Sequence, residues 1–467
     1  MQIMKKLIFL LLLGLLVVTS CSLDEKPQRS ITSSDAVASV SDASKIREYL
    51  YIRFRGLVSG SYIYSMEIST DLFNSSTSYG NRGGNFYNWE ITASDGTPEG
   101  LWSHCYYNIA LSNFLIEGID KLDQTTMSDA DKTLLTQYKA EATFLKGYST
   151  FMLVERFSPV YDAAKASSQL GVMLVNKYMP TSDQSKYPGR SNLAETYTYI
   201  EQCIKEAETG LAKVKNSVAA VYLTPDAVTA FKARVALAKG DYTTAIDAST
   251  SLIKSGRYPL VSSAADMLDL WKNDSGKECI VQFWANYDSQ SVPSSNDYGY
   301  YGETNAGTYG PDYIPEQWVI DLYSSNDLRF TTWFYAKNLT YGNLTGKAYL
   351  FNKFIGNPTL QSATAKISAH INKIKPFRIA EQYLIASEAY ARKGGNEALS
   401  LQYLNDLQSK RITNFKGSAL TGAKLLSEIK NERVRELIGE GYRFLDLKRW
   451  KDNMVRQTPQ DKGVVSS

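Results

Sequence analysis

Acidic and basic side chains are concentrated in the segment ERVRELIGEGYRFLDLKRW, from Glu432 to Trp450. Paired carboxylates could serve a glycosidase, in which two carboxyl groups face each other across the bond that is cleaved. Glu432, Glu436, Glu440 and Arg443 instead recur at helical spacing, which places them on one face of a helix. Interleaved arginines lower the pKa of such carboxylates and favour ion pairs. The segment therefore predicts an ion-paired structural element and no enzyme activity.

Other patterns typical of catalysis or metal binding are absent from the sequence. Its two histidines, His104 and His370, are far apart, and three widely spaced cysteines remain besides Cys21. These numbers argue against histidine metal sites, Ser-His-Asp chemistry and a disulfide framework. GxSxG, phosphate-binding and dinucleotide-binding motifs do not occur. We predict no cofactor and no metal site, although the Asn- and acid-rich loops leave calcium binding open.

The overall charge is close to zero, with 51 basic and 48 acidic residues. Because no Lys/Arg run breaks this balance locally, no nucleic-acid partner is predicted.

Tyrosine is unusually frequent, at 32 of 467 residues, and it marks two Gly/Ser/Asn-rich stretches, residues 71–100 and 284–313. Long irregular loops inside a domain are commonly functional. An aromatic ring can cover the apolar face of a sugar while Asn, Asp and Arg neighbours bond its hydroxyl groups. We therefore predict that loop aromatics bind a ligand. The candidates are Tyr79, Trp284, Tyr287, Tyr298, Tyr300, Tyr301 and Tyr309.

The N-terminus has two lysines followed by an apolar run that is too short to span a bilayer. This run is typical of a signal peptide, here residues 1–20, and the small residues before Cys21 resemble the lipobox of bacterial lipoproteins. We expect Cys21 to become the lipid-modified N-terminus, because several acyl chains anchor a protein firmly where one does not. A Ser/Thr/Asp-rich tether at 21–40 and a single domain at 41–467 follow.

Apolar residues recur at helical spacing through much of that domain and predict a mainly α fold. Antiparallel helix pairs are expected near residues 102–157, 191–256, 378–411 and 424–450. Two of these pairs carry small residues in a tetratricopeptide-like pattern, which lets the two helices approach closely. The first set is Ala233, Ala236, Gly240 and Ala245, and the second is Ala386, Ala389, Gly394 and Ala398. A strand is predicted within ECIVQFWANY, residues 278–287.

Several of these stretches match one known family. They are the lipobox, LWSHCYYNIALSNFLIEGID, AEATFLKGYSTFMLVERF, PEQWVIDLYSSNDLRF with Asp327 and Arg329, and ERVRELIGEGYRFLDLKRW. In this order, and over nearly the whole chain, they resemble the SusD/RagB family of surface lipoproteins from polysaccharide-utilisation systems. The last motif is the most specific. Family chains usually continue well beyond it, whereas residues 451–467 alone follow here, so we expect a truncated sequence or a member without the usual C-terminal segment.

The resemblance implies four tetratricopeptide-like helix pairs forming a right-handed superhelical scaffold, with irregular ligand-binding loops and a little β structure. It also implies a non-catalytic protein, lipid-anchored in the outer membrane and facing the cell exterior. Such a protein captures oligo- or polysaccharide and passes it to a SusC-like TonB-dependent transporter. Two alternatives remain, a peptide-binding member of the same family and a helical-repeat scaffold that binds another protein.

Overall fold

The computed structural model describes residues 36–77, 79–297, 299–305 and 307–465. The predicted signal peptide, Cys21, most of the tether and Tyr298 lie outside these residues. Within them the fold is mainly helical, as the sequence predicts. None of the helices in these ranges combines the length and the apolar character that crossing a membrane requires.

The helices are numbered α1 to α15 in chain order. They are Val40–Leu57, Ser61–Ile68, Gly84–Tyr87, Gly96–Lys121, Asp129–Phe157, Leu193–Leu211, Pro225–Lys239, Tyr242–Lys254, Ala264–Lys272, Gln317–Asp321, Leu328–Trp333, Ile379–Lys393, Glu397–Arg411, Gly422–Leu437 and Arg443–Trp450. The predicted pair at 191–256 contains three helices, α6, α7 and α8.

Side chains that cap free backbone N–H groups fix where several helices begin. Ser128 and Thr224 accept hydrogen bonds from the first turns of α5 and α7. Asn192 and Glu195 form a reciprocal capping box at the start of α6. The sequence therefore sets these helix starts locally, before any tertiary packing.

The helical scaffold is built from neighbouring antiparallel helices. The long helices α4 and α5 pack together, α6 packs on α5, and α1 lies against both α4 and α5. Further along, α7 packs on α8, α12 contacts α8, and α13 and α14 follow α12. Aromatic rings fill the centre of this scaffold, including Phe54, Phe144, Tyr148, Phe231 and Phe377.

The first tetratricopeptide-like pair has the predicted contacts, but the second has a different register. Gly240 ends α7 with φ of 81°, and Ala245, three residues after the start of α8, is fully buried. The turn between α12 and α13 is one residue longer, covering 394–396. Ser400 therefore takes the position equivalent to Ala245 and exchanges hydrogen bonds with Ser387. The prediction that Ala398 lies at this contact is wrong, because Ala398 is exposed.

Strands form four small antiparallel sheets of two strands each in the described ranges. The pairs are β1 with β5, β2 with β8, β3 with β4, and β6 with β7. The strands β1 to β8 are Phe73–Ser75, Cys279–Val281, Glu303–Asn305, Thr308–Tyr309, Tyr313–Pro315, Phe334–Tyr341, Leu344–Phe351 and Phe377–Arg378. The strand predicted at 278–287 is thus a three-residue strand, β2, paired with β8.

A second hydrophobic core lies under the loop side of the molecule. It includes Phe73, Tyr300, Trp333, Phe351 and Val434, and it is separate from the aromatic centre of the scaffold. The chain after α15 runs along this side. There the backbone N–H of Gln457 donates to Glu316, and Thr77 pairs with Val464.

The acidic motif divides at a tight turn. Helix α14 ends at Leu437, and Gly439 and Gly441 follow with φ of 81° and 84°, values that favour glycine. A Cβ atom on Gly439 would lie 2.9 Å from the ring of Phe351. Glu440 therefore lies in a turn, and the prediction that it shares one continuous helix face with Glu432 and Arg443 is wrong.

Candidate ligand-binding site

The densest cluster of titratable side chains is a buried network of ion pairs around Glu436. Its two carboxylate oxygens accept hydrogen bonds from Arg329 at 3.0 Å, Arg378 at 2.9 Å and Arg411 at 2.9 and 3.1 Å. Burial alone would raise the pKa of Glu436, but Arg411, Arg378 and Arg329 outweigh it and hold the pKa well below its usual range. Glu436 is therefore a permanently ionised counterion with no exposed oxygen.

The same network joins the other residues of the motif to distant parts of the chain. Arg329 also forms a two-pronged ion pair with Asp327. Glu440 accepts from Lys353 at 2.6 Å, and the ammonium group of Lys353 also caps the carbonyl oxygens at the end of α14. The ion pairing predicted from the sequence is confirmed, and the arrangement offers no pair of accessible carboxylates across a cleft.

The histidines are engaged in the fold. The ring of His104 lies 2.9 Å from the carbonyl oxygen of Arg53, and burial lowers the pKa of His104 to about 4. Burial would also lower the pKa of His370, but Asp297, 2.8 Å away, raises it above its ordinary value. In the described ranges, no group of three or more His, Cys, Asp or Glu is arranged to hold a metal ion. The three remaining cysteines, Cys105, Cys203 and Cys279, are buried and free.

The two aromatic loops are fastened to each other. Strand β1 of the first loop region pairs with β5 at the end of the second. Beyond the strands, the backbone N–H of Gly80 donates to Asp312, and Arg82 forms an ion pair with the same carboxylate at 2.5 Å. The hydroxyl group of Tyr313 donates to the carbonyl oxygen of Arg82 at 2.7 Å. The contacts therefore hold residues 73–75 and 80–82 of the first loop region against residues 312–315 at the end of the second.

Trp284 and Tyr287 are the predicted ligand contacts that remain well exposed, at 49% and 43%. They lie just after β2, where Asn286 and Ser291 pair across a turn. The guanidinium group of Arg55 in α1 donates to the carbonyl oxygens of Trp284 at 2.7 Å and Ser291 at 3.1 Å. Arginine thus fixes the backbone beneath the rings, while their faces remain open to solvent.

The other predicted aromatics are less available. Tyr300 is wholly buried and stacks on Phe73, with ring centroids 4.3 Å apart. Tyr301 is also buried, and its ring meets that of Tyr309 edge to face at 5.3 Å. Tyr300 therefore belongs to the loop-side core and Tyr301 to a separate small cluster with Ile314 and Leu350, which corrects their placement on an exposed surface. They are adjacent residues between Gly299 and Gly302, and this pattern gave no sign of which ring would be inside.

Tyr79 and Tyr309 occupy intermediate positions. Tyr79 is part buried and packs against Tyr313, with ring centroids 6.0 Å apart. The ammonium group of Lys337 lies 4.5 Å from the ring centroid of Tyr309 and covers one of its faces. Each ring therefore presents at most part of its surface to a ligand.

Trp89 is an exposed aromatic that the sequence reasoning did not select. Its side chain is 48% exposed, and its φ of 60° is an outlier for a bulky residue. The indole N–H donates to the carbonyl oxygen of Ser69 at 2.9 Å, which fixes the ring. Its position in the predicted loop 71–100, between the polar residues Asn88 and Glu90, could have indicated an exposed ring. Fixed and half-exposed rings of this kind can stack on the C–H face of a sugar.

Comparison with known proteins agrees with this architecture. A family model described as "SusD family" matches residues 240–466. A second, described as "Starch-binding associating with outer membrane", matches residues 23–237. The SusD-like protein P38 of Formosa agariphila is 24% identical, over 94% of this chain and 90% of its own length.

Solved structures with the same fold include two from Bacteroides. A SusD superfamily protein from Bacteroides thetaiotaomicron is 26% identical, with a TM-score of 0.75 covering 90% of this chain and 91% of the other. A protein named as a putative sugar binding protein from Bacteroides vulgatus is 23% identical. Its TM-score is 0.73, covering 91% of this chain and 90% of the other.

Proposed function

Since this chain belongs to the SusD/RagB family, we propose that it is a cell-surface lipoprotein that binds a glycan and passes it to a SusC-like TonB-dependent transporter. The family model that matches its N-terminal half carries a description of starch binding and outer-membrane association. The chain's own loops supply the means of binding, and Cys21 supplies the proposed lipid anchor.

The observation that carries glycan binding is the fixed exposure of Trp284, Tyr287 and Trp89. Single exposed rings are common on protein surfaces, but these three lie in the two predicted loops on hydrogen-bonded backbone or ring positions. The carbonyl oxygen of Ser69 holds the ring of Trp89, and Arg55 holds the backbone that carries Trp284, so little backbone entropy is lost when a sugar stacks there. Trp284 and Tyr287 make no ring contact with Trp89 among the described residues. We therefore treat Trp284 with Tyr287 as one contact point and Trp89 as a second.

Binding without turnover is the second part of the proposal. The carboxylates of the acidic motif are neutralised by buried arginines, so they are unavailable as acid and base. The protein therefore holds its ligand intact and leaves hydrolysis to other proteins.

The test is isothermal titration of the mature protein against plant, host and microbial glycans and against mixed peptides. We expect saturable binding of at least one glycan, with no change in its chain length after prolonged incubation. Saturable binding of peptides with no glycan bound would contradict the proposal and favour a peptide-binding member of the family. Shortening of the bound glycan would contradict the non-catalytic role.

A further inference from the structure

A cavity of about 90 Å³ lies where the helical scaffold meets the loop side. Its walls come from the last turns of α5, the α1–α2 junction, residues 294–296 and 370–376, and the turn before α15. Gly60 at the α1–α2 junction permits this arrangement, because a Cβ atom there would lie 2.7 Å from Ser294. The cavity is therefore built by close approach of these five separate chain segments.

Most charged groups in the cavity wall already have partners. Arg234 pairs with Glu381 and also donates to the hydroxyl group of Tyr442. Lys375 pairs with Asp274. Glu440, the carboxylate in the lining, accepts from both Lys353 and Arg378. These groups leave no charge in the cavity unbalanced.

Arg156, in the last turn of α5, is the exception. Its Nη1 atom donates to the sulfur of Met152 at 3.4 Å, and its Nε atom is buried with no hydrogen-bond partner. No carboxylate lies within ion-pair distance of it among the described residues. Burial lowers the pKa of Arg156, although the group stays a cation. The side chain is part buried, and Glu155 attracts it without forming an ion pair, so the buried N–H of the guanidinium group still lacks a partner.

A second cation and an amide complete the polar wall. Lys373 is part buried and its ammonium group makes no ion pair in the described part of the chain, while Lys375 holds the backbone of Lys373 in place. Asn296 accepts from the backbone N–H of Gly60 at 2.7 Å. Ser294 beside it is exposed, so this side opens to solvent. The cavity therefore combines an entrance with two cations that form no ion pair among the described residues.

We propose that this cavity binds the carboxylate group of a small acidic ligand, with Arg156 as its main partner and Lys373 near the entrance. Guanidinium and carboxylate groups match in geometry and form strong paired hydrogen bonds. At roughly 10–15 Å³ per water-sized position, the volume admits about six to nine non-hydrogen atoms. A short organic acid fits entirely, and an acidic sugar would enter by its carboxylate end.

Titration with two carboxylates and their neutral counterparts tests the site in the full mature protein at low ionic strength. Succinate represents a free organic acid and glucuronate an acidic sugar, while succinamide and glucose carry no charge. We expect saturable binding of succinate, glucuronate or both, weakened by added salt, and no binding of the neutral compounds. Binding of succinate alone identifies a free organic acid as the ligand class, and binding of glucuronate identifies an acidic sugar.

Two variants locate the bound carboxylate. Arg156→Met should weaken carboxylate binding at least tenfold and raise the melting temperature without ligand, because a buried N–H group without a partner is removed. Lys373→Met should weaken binding several-fold, and it keeps the test decisive if Arg156→Met does not fold. Arg53→Met, a cation outside the cavity lining, should bind as the unmodified protein does. Lack of binding to both carboxylates, equal binding of succinamide, or unchanged affinity in both cavity variants would overturn the proposal.

Discussion

Glu436 shows at the scale of one residue why a dense set of carboxylates here is structural. A carboxylate offers about four acceptor positions, and four N–H groups from Arg329, Arg378 and Arg411 occupy them at 2.9 to 3.1 Å. No position remains for a substrate or for a water molecule. The sequence was sufficient to predict ion pairing, because acids and arginines alternate in the motif, but not the partners from other segments.

Replacing Glu436 with glutamine should strongly destabilise the protein. The shape is kept, but three buried guanidinium groups lose their shared negative charge, and breaking a buried ion pair costs about 3–5 kcal/mol. Glu428→Gln is the matched control, because Glu428 lies at the edge of the same network with its side chain 25% exposed, and we expect a loss of about 1 kcal/mol or less. Urea unfolding measures both. Equal losses for the two variants would contradict the central position of Glu436.

Glu67 should make stability depend on pH. Burial outweighs its hydrogen bond from the backbone N–H of Gly441 and raises the pKa of Glu67 from 4.5 to about 7. The folded protein therefore holds a proton that the unfolded chain releases, so this contribution is complete below pH 4.5 and is lost as the pH rises to about 7.

The check is the free energy of unfolding measured from pH 4.5 to 8. Glu67→Gln should show a weaker decline with rising pH than the unmodified protein. A residual decline is expected, because burial also raises the pKa of Glu316 to about 7. An unchanged pH profile in Glu67→Gln would refute the assignment.

Tyr300 marks the limit of prediction at this scale. Composition identified a tyrosine-rich loop, but which rings face solvent depends on partners far away in the chain, such as Phe73 and Phe351. A glycine-rich segment has no periodicity that separates an inner from an outer face. Trp284 and Tyr287 were found because they directly follow a recognisable strand.

Elements with strong local signals were predictable and those without them were not. Long amphipathic helices such as α5 and α6 follow from apolar periodicity and capping side chains. The hairpin of β6 and β7 was not predicted, although Gly342 and Asn343 between alternating residues are a turn signal. The turn at Gly439 was also missed as a helix break, because the charges on either side fit a helical repeat.

Gly439→Ala should test the turn that divides the acidic motif. A left-handed φ costs an alanine about 1–2 kcal/mol, and contact with the rings of Phe351 and Phe354 adds a steric cost of about 1–3 kcal/mol. Gly240→Ala is the control, since Gly240 has φ of 81° in the left-handed region but nothing within 4 Å of the added Cβ atom. Urea unfolding should show the larger loss for Gly439→Ala. An equal loss of unfolding free energy in the two variants would mean that the rings of Phe351 and Phe354 move aside without a steric cost.

For the whole molecule, the acidic motif connects two separately packed parts. Arg411 belongs to the helical scaffold, whereas Lys353 follows the β6–β7 hairpin on the loop side. Both reach the segment at the end of α14, through Glu436 and Glu440. The network therefore fixes the loops on the scaffold, which is the rigidity that a preformed binding surface needs. The order of motifs along the sequence predicted a helical scaffold and irregular loops, but it did not predict the ion pairs that connect them.

The proposed lipid anchor gives a prediction for the complete protein in cells. Cys21→Ala should abolish incorporation of a labelled fatty acid and release the protein from the membrane fraction, because acyl chains supply the anchoring energy. Ser22→Ala, one residue further on, should behave like the unmodified protein. The remaining cysteines are buried and give no alternative site. Labelling and sedimentation of Cys21→Ala like the unmodified protein would contradict the anchor.

The affinity of loop variants for the glycan that binds best tests the central claim most directly. Trp284→Ala and Trp89→Ala should each weaken binding about tenfold or more, equivalent to about 1.4 kcal/mol, because the apolar ring that covers the sugar is lost. Tyr107→Ala removes a ring of matching exposure, 48%, from helix α4 and should leave the affinity unchanged. Unchanged affinity in both tryptophan variants, or an equal loss in Tyr107→Ala, would contradict glycan binding by the loop aromatics.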